Sequence, residues 1–221
     1  MILLDAKRHI FHSSLLDKTG IDAGFGTKKF SSLKLKNPAT VNQVHSTCIE
    51  NVNNGFKSWS TADGLVTRLR QITLIVRTAD CVPIIYVARN CSLIGISHQG
   101  WRGTLEEMPQ KMVNQFYDQG ILPKDIIAAI GPSIGACCYD VHEDRAKCFL
   151  QEFDKKVVVN RGGKFYLDLK RANFDLLVKS GIPELQIDFF PFCTQCNERF
   201  FWSFRRSKTK NSTINYVRLS D

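Results

Sequence analysis

Apolar residues run consecutively through the middle of this chain. The segments "ITLIVRTADCVPIIYVAR" (72–89) and "CSLIGISHQG" (91–100) are rich in Ile, Leu and Val without polar alternation. That pattern predicts strands covered on both faces. The β-branched stretches of "ATVNQVHSTCIENV" (39–52) predict short strands around His45, and "TADGLVTRL" (61–69) makes a turn into the first long run. Helical periodicity takes over in "TLEEMPQKMVNQFYDQG" (104–120), where Leu105, Met108, Met112 and Phe116 share one face. Thr104 and Glu107 have capping-box spacing and Gly120 ends the segment, although Pro109 disturbs the first turns. "DIIAAIG" (125–131) reads as a strand and "HEDRAKCFLQEF" (142–153) as a helix. The clearest helix is "DLKRANFDLLVKSG" (168–181), with Asp168 as N-cap and Gly181 as stop. "LQIDFFPFC" (185–193) returns as a strand, and "TINYVRLS" (213–220) suits a closing one.

Strands and helices interleave with no internal repeat or linker, so residues 1–221 read as one layered domain of mixed α and β structure with a mixed sheet. No stretch approaches the roughly 20 apolar residues a bilayer crossing needs. The apolar opening "MILL" is cut short by Asp5, Lys7 and Arg8, which argues against an export signal and for the cytoplasm. The eight cysteines are irregularly spaced, with Cys137 and Cys138 adjacent, which suits free thiols in a reducing compartment better than a disulfide framework. A net charge of +9 favours anionic partners such as phosphates or nucleotides, and equally serves solubility.

Three residues stand where chemistry can be built. Cys81 precedes one apolar strand and His98 ends the next, so each can project from a rigid frame. With His45 of "NQVHS" they offer three ligands and an open fourth position, the arrangement of catalytic zinc; lone His and Cys residues are more often structural. Without a metal, Cys81 as thiolate and His98 as its base would make a nucleophilic site. Asp80 beside them either orients a substrate hydroxyl or caps the turn between two strands. Arg102 in "GWRG" precedes the expected helix start, where a guanidinium and a helix N-terminus together suit a phosphate. The glycines and lysines of "GIDAGFGTKKF" (20–30) read as a loop that brings Lys28 to an anion, although most such runs are only turns.

Cys193 and Cys196 in "CTQC" have true metal-knuckle spacing, but a closed zinc needs two more ligands, and the adjacent Cys137 and Cys138 are poorly spaced to supply them. A redox use of the pair is disfavoured because it follows a strand and does not open a helix. The tail "RFFWSFRRSKTK" (199–210) looks like a base-stacking strip with Arg205 and Arg206, yet alternating aromatics are more often half core; nucleic-acid binding stays a minor alternative.

In order, "NQVHS", "TADGLVT", "RTADCVPI", "SHQGWRG", "AIGPSIGACCYDV", "DLKRAN" and "CTQCNERFFWSFRR" resemble the YfiH-like family, also called laccase-domain or polyphenol oxidase proteins. The resemblance covers nearly the whole chain. It implies a mixed α/β fold shared distantly with cysteine-hydrolase-like toxins, and a zinc held by the residues matching His45, Cys81 and His98. It further implies phosphate-dependent cleavage of adenosine, inosine, guanosine and methylthioadenosine, together with adenosine deamination; a cysteine hydrolase editing peptidoglycan precursors is the alternative. On this reading Cys81, His98 and Arg102 are catalytic, and Lys28, Gln43, Asp80 and Arg205 contact substrate or phosphate. The resemblance leaves the oligomeric state open. Lys28 replaces an arginine usual in the family, which keeps the charge and loses bidentate geometry. Asn42 replaces the first histidine of "HQVH", which together with only five histidines argues against a copper cluster. Gln99 replaces a small residue next to His98, adding bulk that would narrow the pocket.

Overall fold

The computed structural model describes residues 1–54, 56 and 58–220. Two six-stranded sheets and a group of helices form three layers. In the first sheet the order is Ile2–Asp5, Ile10–Ser13, Asp22–Gly26, Thr213–Arg218, Thr73–Thr78 and Pro38–Ala39. In the second it is Ile187–Phe189, Ile126–Ile130, Val82–Ala88, Ile94–Gln99, Gly64–Thr67 and Ile49–Asn51. Three short strands, Asp140–Val141, Lys164–Leu167 and Val158–Arg161, form a separate ribbon.

The unbroken apolar runs follow from the middle layer. Within Val82–Ala88, Val82, Ile84, Tyr86 and Ala88 pack toward the helices with Met108, Met112, Phe116 and Leu177. Ile85 and Val87 face the other way, into a core shared with Leu74, Val76, Phe25 and Val217 of the first sheet. A strand buried on both sides has no place for a polar residue, which is why alternation disappears. Among the described residues, no helix is long and apolar enough to cross a membrane.

Several elements differ from the sequence expectation. The helix expected from Thr104 is two helices, Trp101–Leu105 and Met108–Asp118. Glu107 sits between them at φ 58°, and Pro109 occupies the first turn of the second helix, where its missing N–H costs nothing. Thr104 is therefore not a cap: its buried hydroxyl donates to the Gly100 carbonyl at 2.9 Å and accepts from Asn173 Nδ2 at 2.9 Å. The glycine-rich "DAGFG" is a strand and not an anion loop. A Cβ on Gly24 would come within 2.9 Å of Ile10, and one on Gly26 within 2.6 Å of the Ile214 carbonyl, so these glycines permit close sheet packing. The region around His45 is irregular between Pro38–Ala39 and Ile49–Asn51, with one bridge from Asn42 to Thr61. The helices Glu143–Glu152 and Leu169–Lys179 and the strand Thr213–Arg218 lie where the pattern places them, and the Asp168 side chain caps the second helix at Arg171 N.

Candidate metal and anion site

The strand Thr73–Thr78 belongs to the first sheet and Val82–Ala88 to the second, so Ala79, Asp80 and Cys81 carry the chain across the gap between them. That crossing forces Asp80 to φ 88°, a conformation that costs about 1–3 kcal/mol in a non-glycine residue. The buried Asp80 carboxylate offsets the cost by accepting hydrogen bonds from Thr194 Oγ1 (2.6 Å), Ser203 Oγ (3.0 Å) and the Arg205 backbone N–H (2.7 Å). Of the two roles considered for Asp80, turn-holding is the one its bonds display.

Cys81 and His98 share a strand face. Cys81 has the parity of Ile85 and Val87, His98 has the parity of Ile94 and Ile96, and His98 pairs with Pro83 across the hairpin. Both side chains therefore emerge at the mouth of the gap between the sheets. His45 reaches them from its loop, with Nε2 3.8 Å from Cys81 Sγ and its ring 4.9 Å from that of His98 at 76°. All three potential ligand atoms lie within 4.8 Å of one another. Gly100 makes the approach possible, since a Cβ there would stand 3.1 Å from both Cys81 Sγ and His45 Cδ2.

Asp63 organises this group, although the motif "TADGLVT" around it signals only a turn in the sequence. The second sheet pairs Gly64 with Ser97, so Asp63 falls beside His98, whose backbone N–H donates to the Asp63 carbonyl at 2.8 Å. The Asp63 carboxylate is fully buried and 2.7 Å from His98 Nδ1. It also receives the backbone N–H groups of Val44, His45 and Ser46 at 3.2, 3.1 and 2.7 Å and the Ser46 hydroxyl at 2.8 Å. Burial opposes its charge, but the bonds from His98 and Ser46 prevail and hold its pKa below the usual value. A carboxylate only accepts, so Nδ1 of His98 carries the proton and Nε2 faces Cys81. This carboxylate–histidine arrangement orients a histidine for metal ligation.

Burial alone would raise the Cys81 thiol, but the positive His98 beside it and hydrogen bonds from His45 and His98 outweigh this and bring it down to about 6. Burial lowers His98 in turn, while the Cys81 thiolate and Asp63 pull it up to about 9. The metal-free group is thus a thiolate–imidazolium pair at neutral pH. Two nitrogens and one sulfur with a preset tautomer fit a borderline-soft divalent ion. Binding must displace the His98 Nε2 proton below pH about 9, and the Cys81 proton as well below about 6. Apparent metal affinity should therefore rise about tenfold per pH unit between those values, level off above them and steepen below. Competition with a chromophoric chelator across pH 5–10 measures this; a flat profile would contradict the pairing.

The group opens into a cavity of about 840 Å³. Arg77, Arg102, Arg145, Arg205, Lys208 and Lys210 line it, against the single carboxylate of Asp80, which is already bonded. Such a wall attracts anions. Arg102 and Arg145 lie 5.0 and 4.1 Å from the centroid of the Trp101 ring. Arg102 stands inside the first turn of its helix and not ahead of it. Arg145 and Tyr139 were not foreseen, because a helix-borne arginine and the tyrosine after a cysteine pair carry no signal of their own.

Other predicted residues fall as follows. Gln43 lines the cavity with its amide paired to the backbone of Arg77, donating at 2.9 Å and accepting at 2.7 Å. Arg205 lines it while bonded to Asp140 at 2.5 Å. Lys28 is outside the lining, with its ammonium 4.6 Å from the Trp202 ring centroid. Gln99 does not narrow the pocket: it alternates with His98, points to the opposite face and is wholly buried. Its amide oxygen and nitrogen have no hydrogen-bond partner among the described residues. Gln99→Met keeps the shape and removes that penalty, so it should stabilise the fold by about 1–2 kcal/mol in urea melts; a loss of stability would show a hidden partner. The tail aromatics form no strip either, since Phe201 is buried and Phe200 packs on Phe11.

Residues 27–217 match the family described as multi-copper polyphenol oxidoreductase laccase. The chain belongs to this family. It is 38% identical over 181 residues to "Purine nucleoside phosphorylase YlmD" of Geobacillus stearothermophilus, covering 75% of this chain and 66% of that protein. It is 38% identical over 148 residues to "Adenosine deaminase RL5" of an unknown prokaryotic organism, covering 65% and 56%. The chain thus spans somewhat less than two thirds of the length of these curated relatives. The crystal structure of Bacillus licheniformis hypothetical protein YfiH superposes with a TM-score of 0.90 at 27% identity, covering 99% of each chain. The mixed-sheet fold is therefore the fold of the YfiH proteins.

Proposed function

We propose that this chain is a zinc-dependent purine nucleoside phosphorylase acting on adenosine, inosine, guanosine and methylthioadenosine, with adenosine deaminase activity at the same site. The observation that carries the reading is the joining of a His45–Cys81–His98 group to a cavity walled by cations. Relatives named for these two activities support it. His45, Cys81 and His98 would hold the zinc, which would supply Lewis acidity and a means of activating water at neutral pH.

The chain's own residues account for the rest. Arg102 and Arg145 bring phosphate into the cavity and fix its orientation, which removes much of the entropic part of the barrier. Phosphate oxygen forms a bond to the ribose C1′ as the bond to the purine nitrogen breaks, and the base leaves with the electron pair and takes up a proton. Burial raises the Tyr139 pKa, so its hydroxyl keeps a proton to donate to a substrate heteroatom. Trp101 and Phe204 offer the apolar surface on which a purine ring packs.

The test is release of hypoxanthine from inosine by metal-loaded protein, with and without phosphate. Release that depends on phosphate is expected; no base from inosine or adenosine would end the proposal. Arg145→Ala should raise the KM for phosphate by about tenfold or more with a smaller change in kcat.

The low thiol pKa of Cys81 and the chain of contacts from Asp63 through His98 also suit a second reading, a cysteine hydrolase on peptide-linked cell-wall precursors. There Cys81 attacks the amide carbonyl as the thiolate, and His98, the base that holds its proton, passes that proton to the departing amine as the C–N bond breaks. Activity that survives a chelator, with an electrophile attached to Cys81, would select it.

A further inference from the structure

The strands Ile126–Ile130 and Ile187–Phe189 run parallel as neighbours, with Ile130 paired to Phe189. Their following loops therefore leave the sheet at the same edge. A bridge between Ser133 and Cys193 continues the pairing beyond the strands. The first loop then turns at Cys137–Cys138 and the second at Cys193–Cys196, which brings together four cysteines that are far apart in sequence. Their sulfurs lie within 4.8 Å of one another, with Cys138 to Cys196 at 3.3 Å and Cys137 to Cys196 at 3.6 Å. The poor spacing that weighs against this set in the sequence does not matter, because the adjacent pair need only present its two sulfurs from one turn.

We propose that Cys137, Cys138, Cys193 and Cys196 form a closed tetrathiolate site for a zinc-class ion, separate from the His45–Cys81–His98 group. Zn–S bonds of about 2.3 Å at the corners of a tetrahedron place sulfurs about 3.8 Å apart, close to the separations here. The surroundings of Cys193 suit a thiolate. The backbone N–H of Gly135 donates to Cys193 Sγ at 3.2 Å. Gly135 packs so tightly that an added Cβ would stand 3.2 Å from the Cys193 Cβ and 3.3 Å from Cys137 Sγ. Four thiolates on a divalent ion carry two excess negative charges. Two cations offset them: buried Lys170, which bonds the Phe190 and Phe192 carbonyls, and Arg206, which clasps the Thr194 and Gln195 carbonyls. Cys137 and Cys196 are exposed, which leaves an entry path for the ion.

Four ligands leave no open position, so this ion is structural. What it holds is the back wall of the cavity. Ile134 and Tyr139 of the first loop line the cavity, and the Ile134 N–H donates to the Asp80 carbonyl at 2.9 Å. Thr194 of the second loop bonds the Asp80 carboxylate at 2.6 Å. Both cysteine loops thus clamp the strained residue that precedes Cys81.

Metal content of the full chain, purified and loaded with Zn²⁺ under anaerobic reducing conditions, tests the site without any nucleoside assay. A His45→Ala/Cys81→Ala variant, which leaves the four cysteines intact, should retain about one zinc per chain, and its Co²⁺ form should show intense thiolate charge-transfer bands with tetrahedral d–d absorption. Adding Cys137→Ser/Cys196→Ser to that variant should abolish those bands. In the unaltered chain, Zn²⁺ should slow alkylation of the four cysteines at least about tenfold while Cys48 and Cys148 react as before. The proposal is overturned if the His45→Ala/Cys81→Ala protein takes up no metal, if Zn²⁺ leaves alkylation of the four unchanged, or if peptide mapping of the anaerobic protein finds them joined as disulfides.

Discussion

Cys81→Ala is expected to lower phosphate-dependent base release by a factor on the order of 10³ or more, and to remove about one bound metal per chain while the fold survives. The size of the effect follows from the position of the sulfur. Cys81 stands at the end of the sheet-to-sheet crossing, 3.8 Å from His45 Nε2 and on the same strand face as His98, so truncation takes away the one anionic ligand of the group. Two neutral imidazoles alone bind a divalent ion far more weakly. The fold should tolerate the change because the sulfur is only partly buried and Asp80 retains its three hydrogen bonds. Inductively coupled plasma analysis and a hypoxanthine assay on the same preparation check both parts. Activity within about tenfold of the parent, with the metal lost, would show that the group does not serve the reaction.

The strands that carry Cys81 and His98 were legible because burial on both faces leaves an unmistakable apolar run. The pairing that makes those residues meet was less so. His45 lies on an irregular loop with no periodicity, and its place was available only through the resemblance to the YfiH-like family. Asp63 was hidden for a different reason: an Asp-Gly pair reads as a turn, and its contact with His98 exists only once Gly64 and Ser97 are in register. The same holds for the four cysteines, which share an edge because two distant strands run parallel. The helix start went astray through a local rule that tertiary packing overrode: Thr104 has capping chemistry, but its hydroxyl is spent on Gly100 and Asn173 inside the core. The anion-binding character was readable only as net charge. Its focus on one cavity needed Arg77, Arg145 and Lys210, drawn from three separate segments, to converge.

Asp63→Asn should be the most damaging single-atom exchange in the molecule. The buried carboxylate accepts three consecutive backbone N–H groups, a serine hydroxyl and the His98 imidazole. An amide keeps the volume but presents one acceptor and a donor that faces other donors. Removing one member of a buried charged pair costs about 3–5 kcal/mol, which should appear as a fall in the urea midpoint of metal-free protein. The loss should also depend on pH. His98 is raised to about 9 by a pair that includes Asp63, so its contribution to stability is complete below its unfolded value near 6.5 and disappears as pH rises through about 9. Asp63 itself is lowered, so its contribution is present above about 4 and is lost on acidification. Parent and variant should therefore differ most between about pH 5 and 6.5, and the gap should narrow toward pH 10 without closing, because the backbone and Ser46 bonds to Asp63 persist there. Metal affinity should drop about 10–100-fold, because the His98 ring loses the partner that fixes its tautomer and the His45 loop loses its anchor. Equal stability across that range, or metal affinity within about twofold of the parent, would show that Asp63 does not organise the site.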